Sequence, residues 1–166
     1  IPAIEIGLRH IEAIGYEVIS ERVKTLTGWL LEHLTEMKHS TGRPLVRLFG
    51  PNSIEGRGGA ITVNFYDKNG KAFDHRFIES EANKVNISLR TGCFCNPGAG
   101  EIALGISRVE LDVCFTQPGH EEVMSIDDFR HCIDGKSSGA VRISVGTMTN
   151  FNDVQALLTF ARGLLS

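Results

Sequence analysis

No stretch of the 166 residues approaches the roughly 20 consecutive apolar residues that a membrane helix needs. Basic residues are not in excess either. Seventeen Lys and Arg stand against 20 Asp and Glu, a net charge of −3, which excludes binding of nucleic acid or an anionic membrane through a basic surface. No charged region followed by an apolar one opens the chain, so no secretory signal is read, and the expectation is a soluble, cytoplasmic protein. Repeats and low-complexity tracts are absent. The glycine-rich stretch 52–59 lacks phosphate-loop spacing and reads as a strand-entry loop. Only four cysteines occur, with no pair of C-x2-C knuckles, so no metal centre is expected. Without a secretory signal, all four thiols are expected to stay reduced.

A chain of this length is one domain by size, or one plus a fragment, able to bury about 68–70% of its unfolded surface without metal or disulfide staples. Ile4, Leu8 and Ile11 recur at helical spacing over Ala3–Ile14, up to Gly15, a good helix-ending residue. Because this apolar segment begins at once, the natural start is expected upstream. A second helix is predicted over Val18–Lys38, where Ile19, Val23, Leu26, Leu30, Leu34 and Met37 form one stripe. Strands are predicted at Val46–Phe49, at Ala60–Tyr66, around Ile87 and Leu89, and at Ala140–Val145. Asp74 caps a helix reaching Asn83 or Val85, a short helix spans Ser125–Ile133, and Asn152 caps the last one with Gln155 as its partner. The pattern is an α+β layer: helices packed on one face of a mostly antiparallel sheet. In the last strand Val141, Ile143 and Val145 share one face, while Arg142 points to the other.

Chemistry is concentrated in Arg90-Thr91-Gly92-Cys93-Phe94-Cys95-Asn96-Pro97-Gly98. Two thiols sit where a strand breaks into a loop of Asn, Pro and small residues, which exposes side chains and can move. A thiol close to Arg90 and to free backbone N–H groups would have a lowered pKa, hence more thiolate to act as nucleophile.

The string RTGCFCNPG resembles the cysteine-loop motif of the class V pyridoxal-phosphate aminotransferase and cysteine desulfurase family, in its molybdenum cofactor sulfurase branch. IPAIEIGLRHIEAIGYEVISERVKTLTGWLLEHL is similar to the helices leading from the family's large domain into its small one. GAVRISVGTMTNFNDVQALLTFA is similar to the small domain's closing strand and helix. The resemblance implies the small domain of a fold-type I enzyme over 16–166, preceded over 1–15 by a helical remnant from the large domain. It implies Cys95 as the catalytic cysteine and Arg142 as the arginine that holds the substrate's α-carboxylate. Cys93 and Arg90 are accessory candidates.

By the same resemblance, a full-length homodimeric parent would use pyridoxal phosphate to take sulfur from L-cysteine. Cys95 would carry it as a persulfide, with a molybdenum cofactor as the acceptor. Two departures stand out. The branch's motif commonly continues as NPGAC, whereas here Gly100 follows Ala99, and none of Lys24, Lys38, Lys68, Lys71, Lys84 and Lys136 follows a histidine as the family's Schiff-base lysine does. The implication is that this chain alone neither holds the cofactor nor turns over. Two alternatives stay open: the small domain of another class V aminotransferase, lyase or epimerase without desulfurase chemistry, and a stand-alone sulfur-carrier module.

Overall fold

A computed structural model describes residues 2–94, 96–116, 124–133 and 138–166. Its frame is a four-stranded sheet of β1 (Val46–Phe49), β2 (Ala60–Phe65), β3 (Arg90–Gly92) and β4 (Ala140–Ser144), in the order β1-β2-β4-β3. Every neighbouring pair is antiparallel. The alternation read in β2 and β4 is realised: Ile61, Val63, Phe65, Val141 and Ile143 are buried on one face, and Ile61 lies opposite Ile143, Val63 opposite Val141.

That face is covered by α2 (Tyr16–Glu36), α3 (His75–Lys84) and α7 (Phe151–Arg162). Leu26, Leu30 and Leu34 of α2 meet Val154, Leu157, Leu158 and Ala161 of α7 in the same core. Full burial of each such leucine contributes roughly 1.5–3 kcal/mol. Asp74 caps α3 as predicted, accepting from the Arg76 N–H at 2.9 Å and pairing with its guanidinium at 2.7 Å. Upstream, α1 (Pro2–Ile14) leaves Ile4, Ile6, Leu8 and Ile11 between 37% and 69% exposed. No described helix is long and apolar enough to cross a membrane.

The chain's last residue is tied down. His39, 3% exposed, bonds the Tyr66 carbonyl through Nε2 at 2.8 Å and accepts the Ser166 N–H at Nδ1 at 3.2 Å. Those two partners fix the neutral tautomer with the proton on Nε2. Ser40 adds its N–H and hydroxyl to the Ser166 carbonyl.

Several boundaries differ from the sequence reading. The third strand begins at Arg90, so Ile87 and Leu89 precede it and pack against the core instead. The last helix is capped by Asn150, whose side chain accepts from Asn152 and Asp153 while Asp153 returns the bond. The cap therefore lies two residues before Asn152, and Asp153 takes the part expected of Gln155. Between Cys93 and Ala140 the structure adds α4 (Pro97–Leu104) and α5 (Arg108–Thr116) to the expected short helix α6 (Ile126–Cys132). The expectation of four reduced thiols is also corrected, because Cys114 and Cys132 form a disulfide between α5 and α6. These helices bring the two Cα atoms to 5.6 Å, within the range a disulfide spans.

Candidate functional site

Opposite the core, the second face of the sheet carries a row of side chains set by register. Phe49 pairs with Thr62, Thr62 with Arg142, and Arg142 with Arg90, so one line crosses all four strands. Arg142 and Arg90 are thus cross-strand neighbours of like charge, an arrangement that costs stability. Among the described residues neither forms an ion pair, and Arg142 Nε is buried with no hydrogen-bond partner. A planar guanidinium with a free donor suits an anion, above all a carboxylate that it can bind in two-pronged fashion.

The cysteine segment leaves the sheet beside this row. Gly92 ends β3 with φ 112°, a left-handed conformation that glycine takes without a Cβ penalty. Cys93 follows as an exposed free thiol. Phe94 has φ 53°, costly for a residue with a bulky side chain. Its ring lies over Arg142, with the guanidinium carbon 5.4 Å from the ring centroid. Cys95 lies outside the described residues. Asn96 then caps α4, accepting from the Ala99 N–H at 3.2 Å, with Pro97 in the first turn.

Two contacts anchor the base of this loop. The Thr91 hydroxyl donates to Glu79 Oε2 of α3 at 2.7 Å. Just before β4, Gly139 runs so close that a Cβ there would fall 2.8 Å from Gly92 Cα and 2.9 Å from the His75 ring. A cavity of about 490 Å³ opens between the sheet and α4–α6, lined by Phe49 and Thr62, by Cys93 and Phe94, and by Leu104, Leu111 and Phe129.

The structure therefore sets two sequence-predicted residues, Arg90 and Arg142, side by side on one sheet face, with Cys93 just past the end of β3. Sequence reasoning missed Phe94, whose signal was its place between two cysteines, and the aromatic lining supplied by Phe49 and Phe129. Among the described residues the cavity offers pyridoxal phosphate no lysine for a Schiff base, and Lys136 lies outside those residues. Lys24, Lys38, Lys68, Lys71 and Lys84 are all exposed, and none lines the cavity beside Cys93.

The fold is shared with a segment of a cysteine desulfurase. The apo cysteine desulfurase of Thermococcus onnurineus NA1 superposes over 96% of this chain and 29% of its own, with a TM-score of 0.62 at 17% identity. No family model matches the chain. In sequence, the chain is related over nearly its whole length to the molybdenum cofactor sulfurases. The human protein is 36% identical over 163 residues, covering 95% of this chain and 18% of the human sequence. The Oryza sativa subsp. japonica protein is 35% identical over 164 residues, covering 96% and 19%. The chain thus spans about one fifth of the length of the curated relatives it matches.

Proposed function

We propose that this chain is the sulfur-carrying part of a cysteine desulfurase-like sulfurtransferase of the molybdenum cofactor sulfurase type. Residues 16–166 act as its small domain and 1–15 lead in from the larger one. The observation that supports this reading is Arg142: its Nε is buried and unpartnered, and its guanidinium lies over the ring of Phe94, the residue after Cys93. The relatives' names supply the substrate class.

In this reading Arg142 holds the α-carboxylate of L-cysteine through two parallel N–H···O bonds, and Arg90 adds positive potential beside it. The Cys95 thiolate attacks the substrate sulfur. An S–S bond forms to Cys95 and the substrate's Cβ–S bond breaks, its electron pair leaving with the carbon skeleton that ends as alanine. Nothing described in this chain can take that electron pair. Cleavage therefore needs the rest of a homodimeric, cytoplasmic parent and its pyridoxal phosphate, and the chain alone is inactive. The terminal sulfur of the persulfide is then handed to a molybdenum cofactor. A thiol on a loop suits a group that must visit a donor and an acceptor in turn.

The test is to incubate the full-length parent with L-cysteine and analyse the loop peptide by mass spectrometry. One extra sulfur is expected on Cys95, retained in Cys93→Ser and lost in Cys95→Ser. Arg142→Lys keeps the charge but not the fork, and is expected to raise KM for L-cysteine more than it lowers kcat. Unchanged alanine release by Cys95→Ser would overturn the assignment.

A further inference from the structure

The Phe94 ring stands over the guanidinium of Arg142, 5.4 Å from its carbon. Phe94 is also the residue between the two thiols, and its φ of 53° is one that a phenylalanine adopts only when its surroundings hold it there. Three features converge on one contact: a buried Nε without a partner, an aromatic face over the same group, and a strained backbone in the loop that supplies the face. A ring beneath a guanidinium takes none of its N–H groups as a conventional hydrogen bond, so the unpartnered Nε–H of Arg142 stays available to an anion.

We infer that Phe94 is a positioning residue that couples occupancy of Arg142 by a carboxylate to the setting of the cysteine loop. The inference rests on the reading of Arg142 as the carboxylate holder. With no anion present, the positive guanidinium attracts the negative face of the ring and holds the loop against the sheet. A carboxylate bound at the edge neutralises that charge, the attraction weakens, and the loop is freed to move. Coupling of this kind is reciprocal: releasing the ring changes carboxylate affinity by the same factor. The consequence is order, since the loop is held until substrate has arrived. The apolar cavity beside Phe94 gives the released ring somewhere to go other than water.

The experiment uses this chain as it stands and reads two signals. One is the alkylation rate of Cys93, exposed in the structure and followed by peptide mass spectrometry. The other is the Arg142 Nε–H resonance, assigned by its loss in Arg142→Lys. Phe94→Leu keeps apolar bulk without an aromatic face, and Phe94→Tyr keeps the face. Phe94→Leu and Arg142→Gln should each raise alkylation by on the order of five-fold, and the double variant should rise no further. Phe94→Tyr should behave as the parent sequence does. Concentrated L-alanine, compared with sodium chloride at equal ionic strength, should shift the Nε–H resonance in both the parent sequence and Phe94→Leu, and raise alkylation only in the former. Additive single effects, or equal acceleration by L-alanine in Phe94→Leu, overturn the coupling and leave the carboxylate reading standing. A resonance that L-alanine never moves overturns the carboxylate reading itself. Matched melting temperatures of the variants exclude loss of fold as the cause.

Discussion

Replacing Gly139 with alanine isolates how tightly the cysteine strand is held. The φ of Gly139 lies outside the left-handed region, so alanine fits the backbone and the cost is purely steric. Its Cβ would meet Gly92 Cα at 2.8 Å, His75 Cε1 at 2.9 Å and Gly92 C at 3.0 Å. Carbon atoms prefer about 3.5–4.0 Å, so the overlap is roughly 0.5–1 Å with three atoms. Two of these belong to the backbone of β3, which cannot rotate away as a side chain could. Overpacking of this kind costs about 1–3 kcal/mol, and a chain of this size loses roughly 2–4 °C in Tm per kcal/mol. The assay is urea denaturation with an unchanged m-value, run beside the alkylation rate of Cys93. Relief of the overlap must move β3, so Cys93 should become more reactive as stability falls. Gly100→Ala is the control: nothing lies within 4 Å of its added Cβ, and helix propensity predicts a gain of up to about 1 kcal/mol. If Gly139→Ala matches the parent sequence in both readouts, the account of β3 as clamped by close backbone approach is refuted.

Three further outcomes are expected. Asn150→Ala should lower stability by about 1 kcal/mol and Asn152→Ala by far less, because only Asn150 caps α7; equal losses would return the cap to the position first read. Cys114→Ser should cost about 3 kcal/mol more under oxidising conditions than with a reductant present, from loss of a cross-link of sequence separation 18; the buried hydroxyl costs the same in both. Asp67 accepts the backbone N–H groups of Lys71 and Asn69 at 2.8 and 2.9 Å, and its pKa is lowered, the Lys71 bond being the largest cause. A depressed folded-state pKa gives stability that is present above the unfolded value and lost as pH falls through the folded one. A carboxyl NMR titration should therefore place the Asp67 midpoint below that of an ordinary aspartate, and Lys71→Pro, which removes the donor, should raise it.

Much of the fold could be read because period and burial agree in it. Ile61, Val63 and Phe65 alternate as a strand with one dry face must, and Leu26, Leu30 and Leu34 repeat as a helix on a sheet must. Segments without a strong apolar period were harder. In α4 the residues PGAGEIAL carry two glycines and little amphipathic contrast, so Asn96-Pro97 was read as loop although it is a cap followed by a first-turn proline. The reciprocal bonds of Ser107 and Glu110 mark the start of α5, a capping-box spacing present in the sequence and overlooked. At the site, Arg142 could be placed on the outer face by alternation alone. Its alignment with Arg90 could not, because register between strands separated by some 50 residues is a property of the packed sheet. The same holds for Phe94: no local pattern says which side chain its ring will cover. The disulfide depends on the packing of α5 against α6, for which the sequence carries no local signal.

The strand order β1-β2-β4-β3 also bears on synthesis. As the chain emerges, β1 and β2 can pair at once, but β3 has only β4 as a partner, and β4 follows some 50 residues later in sequence. Until residues 140–144 leave the ribosome, the RTG strand has no neighbour and Cys93 has no sheet behind it. During that interval four thiols share an unfinished chain, free to pair in ways the native fold forbids. The last strand to be made is thus the one that closes the centre of the sheet, so a nascent chain stalled before β4 would leave β3 and the free thiol of Cys93 without a strand beside them for longest.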